Sequence, residues 1–163
     1  MNIYGYCRIS TAKQSIDRQI RNIKAAYPTA HIVQEAYTGT SIFRPEWLKL
    51  YRVLKAGDTV VFDSVSRMSR NAEEGFTLYE DLYLKGIRLV FLKEHHIDTE
   101  TYKKALSGSI AMTGTNVDFI LKGINEYLMA LAKEQIRLAF EQSEKEVADL
   151  HQRTREGLLT ARL

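Results

Sequence analysis

A cation and a hydroxyl two residues apart, Arg8 and Ser10, close the apolar stretch Ile3-Tyr4-Gly5-Tyr6-Cys7-Arg8-Ile9-Ser10-Thr11. Two further segments carry matching chemistry: the loop that holds Arg44, and Val65 to Arg70, which contains Arg67 and Arg70. Arginine stays charged at any working pH and presents a planar fork of donors that fits phosphate oxygens. Several such forks around a phosphodiester stabilise the charge that develops during phosphoryl transfer, with no metal required. A serine attacking that phosphorus forms a covalent phosphoseryl link and keeps the bond energy for rejoining. Taken singly, the residues have plainer readings. A serine after a strand commonly caps a turn or helix, and Ser66 and Ser69 suit that role for the helix that follows. Loop arginines are more often solvated or paired with carboxylates.

The elements that must position these groups follow from periodicity. If Ile3 to Ile9 is a strand, Ile3, Gly5, Cys7 and Ile9 face a core, while Tyr4, Tyr6, Arg8 and Ser10 lie on the other side. Gln14 to Tyr27 carries Ile16, Ile20 and Ile23 at helical spacing and stops at Pro28. His31 to Tyr37 reads as a strand, Thr38 to Arg44 as a loop, and Pro45 to Ala56 as a helix with Pro45 at its first position and Gly57 at its end. Asp58 to Val65 reads as a strand, Asn71 to Lys85 as a helix ended by Gly86, and Ile87 to Lys93 as another strand. His95 and His96, next to Asp98, fall in the loop after it and lack a second cluster of metal-ligand spacing. The alternation predicts an α/β fold: a mainly parallel central sheet of about four to five strands flanked by helices. Ligands of such sheets gather beyond the carboxyl ends of strands, where Ser10 and Arg67 both fall.

From Asn116 onward nearly fifty residues lack proline, and Val117, Ile120, Leu121, Ile124, Leu128, Leu131, Phe140, Val147 and Leu150 recur at helical spacing. A helix of that length runs on the order of 70 Å, beyond the width of a small domain, and such elements usually pair with another chain. Gly123 and Gly157 are its weak points, with a break expected near Gly123. Ser107 to Thr115 reads as a loop or connector.

Bulk properties narrow the function classes without choosing one. The 163 residues are 45 % apolar and 26 % charged, which is globular, and the net charge of +3 is mild. The first 24 residues are more basic, with Arg8, Lys13, Arg18, Arg21 and Lys24 against Asp17. A single cysteine excludes an internal disulfide framework and a multi-cysteine zinc site. No signal peptide or membrane-length apolar run is present, so a reducing cytoplasmic setting is the default.

The motif Tyr4-Gly5-Tyr6-Cys7-Arg8-Ile9-Ser10-Thr11, followed by Gln14-Ser15 and Gln19, resembles the amino-terminal signature of the serine recombinases, the resolvase/invertase family. In that family the pattern is Y-x-R-x-S-T, then Q-S-x-x-x-Q. Gly57 to Arg70 resembles the family's G-D, strand, R-x-x-R segment, and Arg44 in Phe43-Arg44-Pro45 resembles its loop arginine. Gln152-Arg153-Thr154-Arg155-Glu156-Gly157 resembles a motif late in its long dimerisation helix. The likeness runs from residue 3 to about 98 and resumes from about 136. It implies that Ser10 is the nucleophile joined to a DNA 5′ phosphate. Arg8, Arg67 and Arg70 would form the phosphate clamp, with Arg44 an outer member. Gln14 and Gln19 would orient the site, and Tyr6 and Ser66 would support it. Arg153 and Arg155 would contact DNA, or would be ordinary helix-end cations. The implied partners are double-stranded DNA and further copies of the chain, as a homodimer and a synaptic tetramer. No metal, nucleotide or small-molecule cofactor and no membrane is implied.

The chain departs from the family pattern in three places. Ser66 stands where many members have aspartate, Val147 where arginine is common, and Thr101 to about Gln135 is extra sequence. The expected division is an α/β catalytic core over 1–100 and an inserted or connecting segment over 101–135. A long helix for oligomerisation and DNA contact follows over 136–163. The sequence-reading DNA-binding domain is expected to be missing. Ser66 favours an alternative, a catalytically inactive DNA-associated dimerisation module. A phosphatase-like use of Cys7 is disfavoured, since a C-x5-R loop would need arginine at position 13, where Lys13 stands.

Overall fold

The computed structural model describes residues 1–9, 13–36, 44–69, 71–107, 111 and 113–162, and all their side chains except those of 13–15, 106, 107, 143, 144 and 146–162. Four strands, β1 (Ile3–Ile9), β2 (His31–Ala36), β3 (Thr59–Phe62) and β4 (Arg88–Phe91), pair in the order β2-β1-β3-β4. Every pair is parallel. Central parallel strands are covered on both faces and therefore read as continuous apolar runs, as Thr59-Val60-Val61-Phe62 does.

Alternation splits the strands between two clusters. Tyr6, Val60, Phe62, Leu89 and Phe91 face one side of the sheet, and Cys7, Val61 and Val90 face the other. This corrects the expectation that only the Cys7 face of β1 meets a core. The Tyr6 ring is fully buried, with its centroid 5.2 Å from Trp47 and 5.9 Å from Phe62. An aromatic residue alternating with glycine and arginine looks half-polar in sequence, but its body is apolar and a helix lies over it.

Helix α1 (Lys13–Ala26) covers the Cys7 face with Ile16, Ile20 and Ile23. The Tyr6 face takes α2 (Pro45–Val53) through Trp47 and Leu50, and α4 (Ala72–Leu84) through Tyr79 and Leu82. Two more helices pack there, α5 (Thr99–Ser107) through Tyr102 and α6 (Asp118–Arg162) through Ile136, Ala139 and Phe140. At Gly75 of α4, an added Cβ would stand 2.5 Å from the Phe140 ring, so the missing side chain is what lets α4 and α6 approach this closely.

Local boundaries differ from the sequence expectations in instructive ways. The strand expected to reach Val65 stops at Phe62, where its pairing with β1 ends, and the chain turns at Asp63 and Ser64 into a four-residue helix, α3 (Val65–Met68). Asn71, not Ser66 or Ser69, caps α4 by accepting from the Glu74 amide at 3.0 Å. Ser69 instead braces Asn71, accepting from its N–H at 3.2 Å and donating to its carbonyl at 2.9 Å. Residues 101–135 hold the remainder of α5 and the start of α6. The helix α6 runs through Gly123 without a break. Its start is fixed by Asp118, whose carboxylate accepts from the amides of Thr113 and Gly114 at 2.6 and 2.7 Å.

Most large apolar positions of α6 fall into two stripes. Ala132, Ile136, Ala139 and Phe140 join the core, with Leu121 and Leu128 half-buried on the same side. Val117, in the turn just before the helix, and Ile120, Ile124, Tyr127, Leu131 and Leu138 of α6 stand exposed, as do Phe119 and Met129 outside this row. Val117, Ile124, Leu131 and Leu138 are seven residues apart, with Ile120 and Tyr127 interleaved, which is the spacing of a coiled-coil seam. No helix among the described residues is long and apolar enough to cross a membrane.

Candidate active site

The carboxyl ends of β1 and β3 bring three arginines together on α3. Arg8 is 4 % exposed, and its Nη2 donates to the Ser66 carbonyl at 2.6 Å. Arg44, the residue before α2, donates from Nη1 to the Met68 carbonyl at 2.5 Å. Arg67, within α3, donates from Nη1 to the Arg8 carbonyl at 3.3 Å. The last carbonyls of a helix have no partner within it, so guanidinium donors find acceptors there. A guanidinium carries five N–H donors in a planar fork, so a carbonyl bond to one of them helps fix where the fork lies.

Gln19 holds the end of β1. Pairing of β1 with β3 stops at Tyr6, and beyond it the Arg8 N–H donates to Gln19 Oε1 at 3.1 Å while Gln19 Nε2 donates to the Arg8 carbonyl at 3.0 Å. A glutamine on a helix reads as a surface residue, yet Gln19 is buried because its amide completes a strand end. Tyr6 lies beneath the arginines. Burial pushes its phenol well above the usual tyrosine range, with Arg44 pulling the other way, so the ring stays neutral. Ser66 is half-buried inside α3, its hydroxyl 2.6 Å from that of Ser64, and its carbonyl rather than its side chain meets Arg8.

Ser10 and Arg70 lie outside the described residues, as do the side chains of Gln14, Arg153 and Arg155. The structure therefore brings together Arg8, Arg44, Arg67, Gln19, Tyr6 and Ser66. Cys7, on the opposite face of β1, is fully buried and its thiol is pushed up to about 12 by burial. A thiol held so high is not a thiolate nucleophile near neutral pH, which removes the phosphatase-like alternative. His95 pairs through Nδ1 with Asp98 at 2.7 Å, and Asp98 also accepts from the Phe91 amide, so both belong to the turn after β4.

Two buried carboxylates escape the sequence reading. Glu35, beside Arg8 in the register, accepts from the Glu46 amide at 3.1 Å and the Trp47 amide at 3.5 Å, satisfying the first turn of α2. Asp63 accepts from Asn22 at 2.9 Å and pairs with Lys93 at 3.3 Å. Nothing local marks Glu35 as buried, since it follows Gln34 in a strand that also starts with His31. For Asp63 the partners are far apart in sequence and nothing local marks them.

The profile of the family described as "Resolvase, N terminal domain" matches residues 3–163. The transposon Tn21 resolvase of Escherichia coli is 27 % identical over 159 residues, covering 94 % of this chain and 83 % of that protein. A resolvase of Clostridium perfringens is 32 % identical over 98 residues, covering 60 % of this chain and 52 % of the relative, so that match takes in about half of the relative's length. A crystal structure of a resolvase family site-specific recombinase from Streptococcus pneumoniae superposes with a TM-score of 0.48 at 21 % identity, covering 100 % of this chain and 99 % of that one. A match that spans almost every residue, and includes the strand end, loop and short helix that carry the arginines, places the chain in the resolvase N-terminal-domain family.

Proposed function

We propose that this chain is the catalytic part of a site-specific DNA recombinase that works by transesterification through Ser10. The observation that carries the reading is the convergence of Arg8, Arg44 and Arg67, from three separated segments, on α3 at the exit of β1, two residues before Ser10. In the proposed step the Ser10 oxygen bonds to a backbone phosphorus as the bond from phosphorus to the 3′ oxygen breaks. The hydroxyl proton leaves Ser10, and a proton arrives at the departing 3′ oxygen. Attack by a 3′ hydroxyl on the phosphoseryl link reverses the step and rejoins a strand. The guanidinium forks, with Arg70 completing them, neutralise charge on the phosphoryl oxygens.

In this reading residues 1–100 form the catalytic core, 101–135 connect it to the long helix and carry most of the pairing seam, since α6 begins at Asp118, and 136–163 carry the DNA-contacting end of that helix. Arg153 and Arg155 lie on that helix and supply DNA contacts. Duplex DNA is the substrate. Two copies pair along the exposed seam of α6, and two such dimers make the synaptic tetramer. Gln14 joins Gln19 in orienting the site. The alternative, an inactive DNA-associated dimerisation module, draws on Ser66, whose hydroxyl is taken up by Ser64.

The test is a covalent trap. Full-length protein incubated with sheared genomic DNA of its source should give a protein–DNA adduct that survives denaturation and is lost in Ser10→Ala. Arg67→Ala should slow its formation by roughly 100-fold or more, the usual loss when one transition-state donor is removed. A wild-type protein that folds and binds DNA without forming the adduct would favour the inactive module.

A further inference from the structure

A helix of four residues cannot hold itself in place, since most of its backbone groups lie within the unpaired ends. Two of the backbone bonds of α3 reach residues just outside it: the Arg67 amide donates to Ser64 at 3.1 Å and the Ser69 amide to Val65 at 3.4 Å. Its cap residue, Ser64, accepts no bond from a backbone amide of the helix, its hydroxyl meeting that of Ser66 at 2.6 Å. The first amide, that of Val65, donates instead to Glu94 Oε2 at 3.0 Å.

Glu94 reaches this point because β3 and β4 leave the sheet side by side. Phe62 faces Phe91, and the ladder continues as Leu92 donates to the Phe62 carbonyl at 3.0 Å and Lys93 to the Asp63 carbonyl at 3.1 Å. The next residue is Glu94, whose own amide donates back to the Phe91 carbonyl at 3.1 Å. A 3-10 turn, His95–Ile97, follows and is anchored by the buried Ile97. The carboxylate is thus fixed at its base by the sheet and touches α3 at its tip. Residue 66, within α3, is a serine, so the carboxylate at this turn comes from the exit of the neighbouring strand.

We propose that Glu94 is a positioning residue that sets α3, and through it the place of Arg67 and of the carbonyls that hold Arg8 and Arg44. For catalysis the inference rests on the recombinase reading above. It predicts that the acceptor oxygen and its reach matter, and that the charge does not. Glu94→Gln keeps an oxygen at the same reach without the charge. Glu94→Asp keeps the charge and withdraws it by one methylene, about 1.5 Å.

Two readouts on the full-length protein decide it. In the absence of DNA, amide exchange across residues 65–68 should speed up at least tenfold in E94D and stay within threefold of wild type in E94Q. Faster exchange spread over β3 and β4 as well would indicate a general loss of stability and would overturn the assignment. With sheared genomic DNA, single-turnover adduct formation should slow at least tenfold in E94D and little in E94Q. Affinity for duplex DNA should stay within twofold in both. Equal impairment of E94Q and E94D, or wild-type behaviour of E94D, would also overturn it. If wild type forms no adduct, the recombinase reading fails, and the exchange arm alone still decides whether Glu94 holds α3.

Discussion

The turn around α3 and the outer stripe of α6 represent opposite states of completion. At α3, Arg8, Arg44 and Arg67 each donate to a carbonyl of this chain, and the Val65 amide meets Glu94. Along α6, large apolar side chains such as Ile120 and Tyr127 are 64 % and 66 % exposed. The first region is organised by the chain's own bonds before any ligand arrives. The second leaves a heptad-spaced apolar face that only further protein surface would cover.

Substitutions on the two sides of α6 sharpen this contrast most. Phe140→Ala, on the buried side, should lower stability by about 3–5 kcal/mol in urea denaturation. A double change on the exposed side, Ile124→Glu with Leu131→Glu, should leave monomer stability within about 1 kcal/mol, twice the usual surface allowance per site. It should abolish self-association, read by light scattering across a concentration series. Equal destabilisation by the two would break the distinction between the stripes. Gly75→Ala tests the close approach of α4 and α6, and overpacking against Phe140 should cost about 1–3 kcal/mol in thermal unfolding.

At the α3 turn, Gln19→Ala removes the acceptor of the Arg8 N–H and one of the two donors to its carbonyl, which keeps Arg67, at a cost of about 1–3 kcal/mol for the loss of a buried hydrogen-bond partner. It should also slow adduct formation more than a surface glutamine would. The smallest effect concerns Asp58, far from both regions. Its carboxylate accepts from the amides of Asn2 and Lys55, each at 2.9 Å, and these bonds hold its pKa below the usual range. A depressed folded pKa gives stability that is present above the unfolded value of roughly 3.9 and is lost as pH falls through the folded one. The stability difference between wild type and Asp58→Asn should therefore shrink on acidification through that window, measured by urea midpoints.

Much of the fold could be read from the sequence because its signals are local. Pro28, Pro45, Gly57 and Gly86 punctuate the chain, and Val- and Phe-rich runs mark buried parallel strands. The placement of Arg8 near the end of β1 was equally local. What the sequence hid depends on distant neighbours. Gln19 is buried only because β3 stops short of Arg8, and Glu35 and Glu94 act on amides 11 and 29 residues away. The helix α5 went unread because it has few apolar residues, Tyr102 chief among them. The two stripes of α6 merged into one in sequence, since helical periodicity alone does not tell which side the body takes.

The contact of Gly75 with Phe140 has a mechanical consequence. Beyond Phe140, α6 has about 33 Å left to run before Arg162, at 1.5 Å per residue. A tilt of only ~5° about that contact would swing the far tip by ~3 Å over this length. A side chain no larger than a methyl at position 75 would thus act as a wedge under a lever, redirecting Arg153 and Arg155 without touching them.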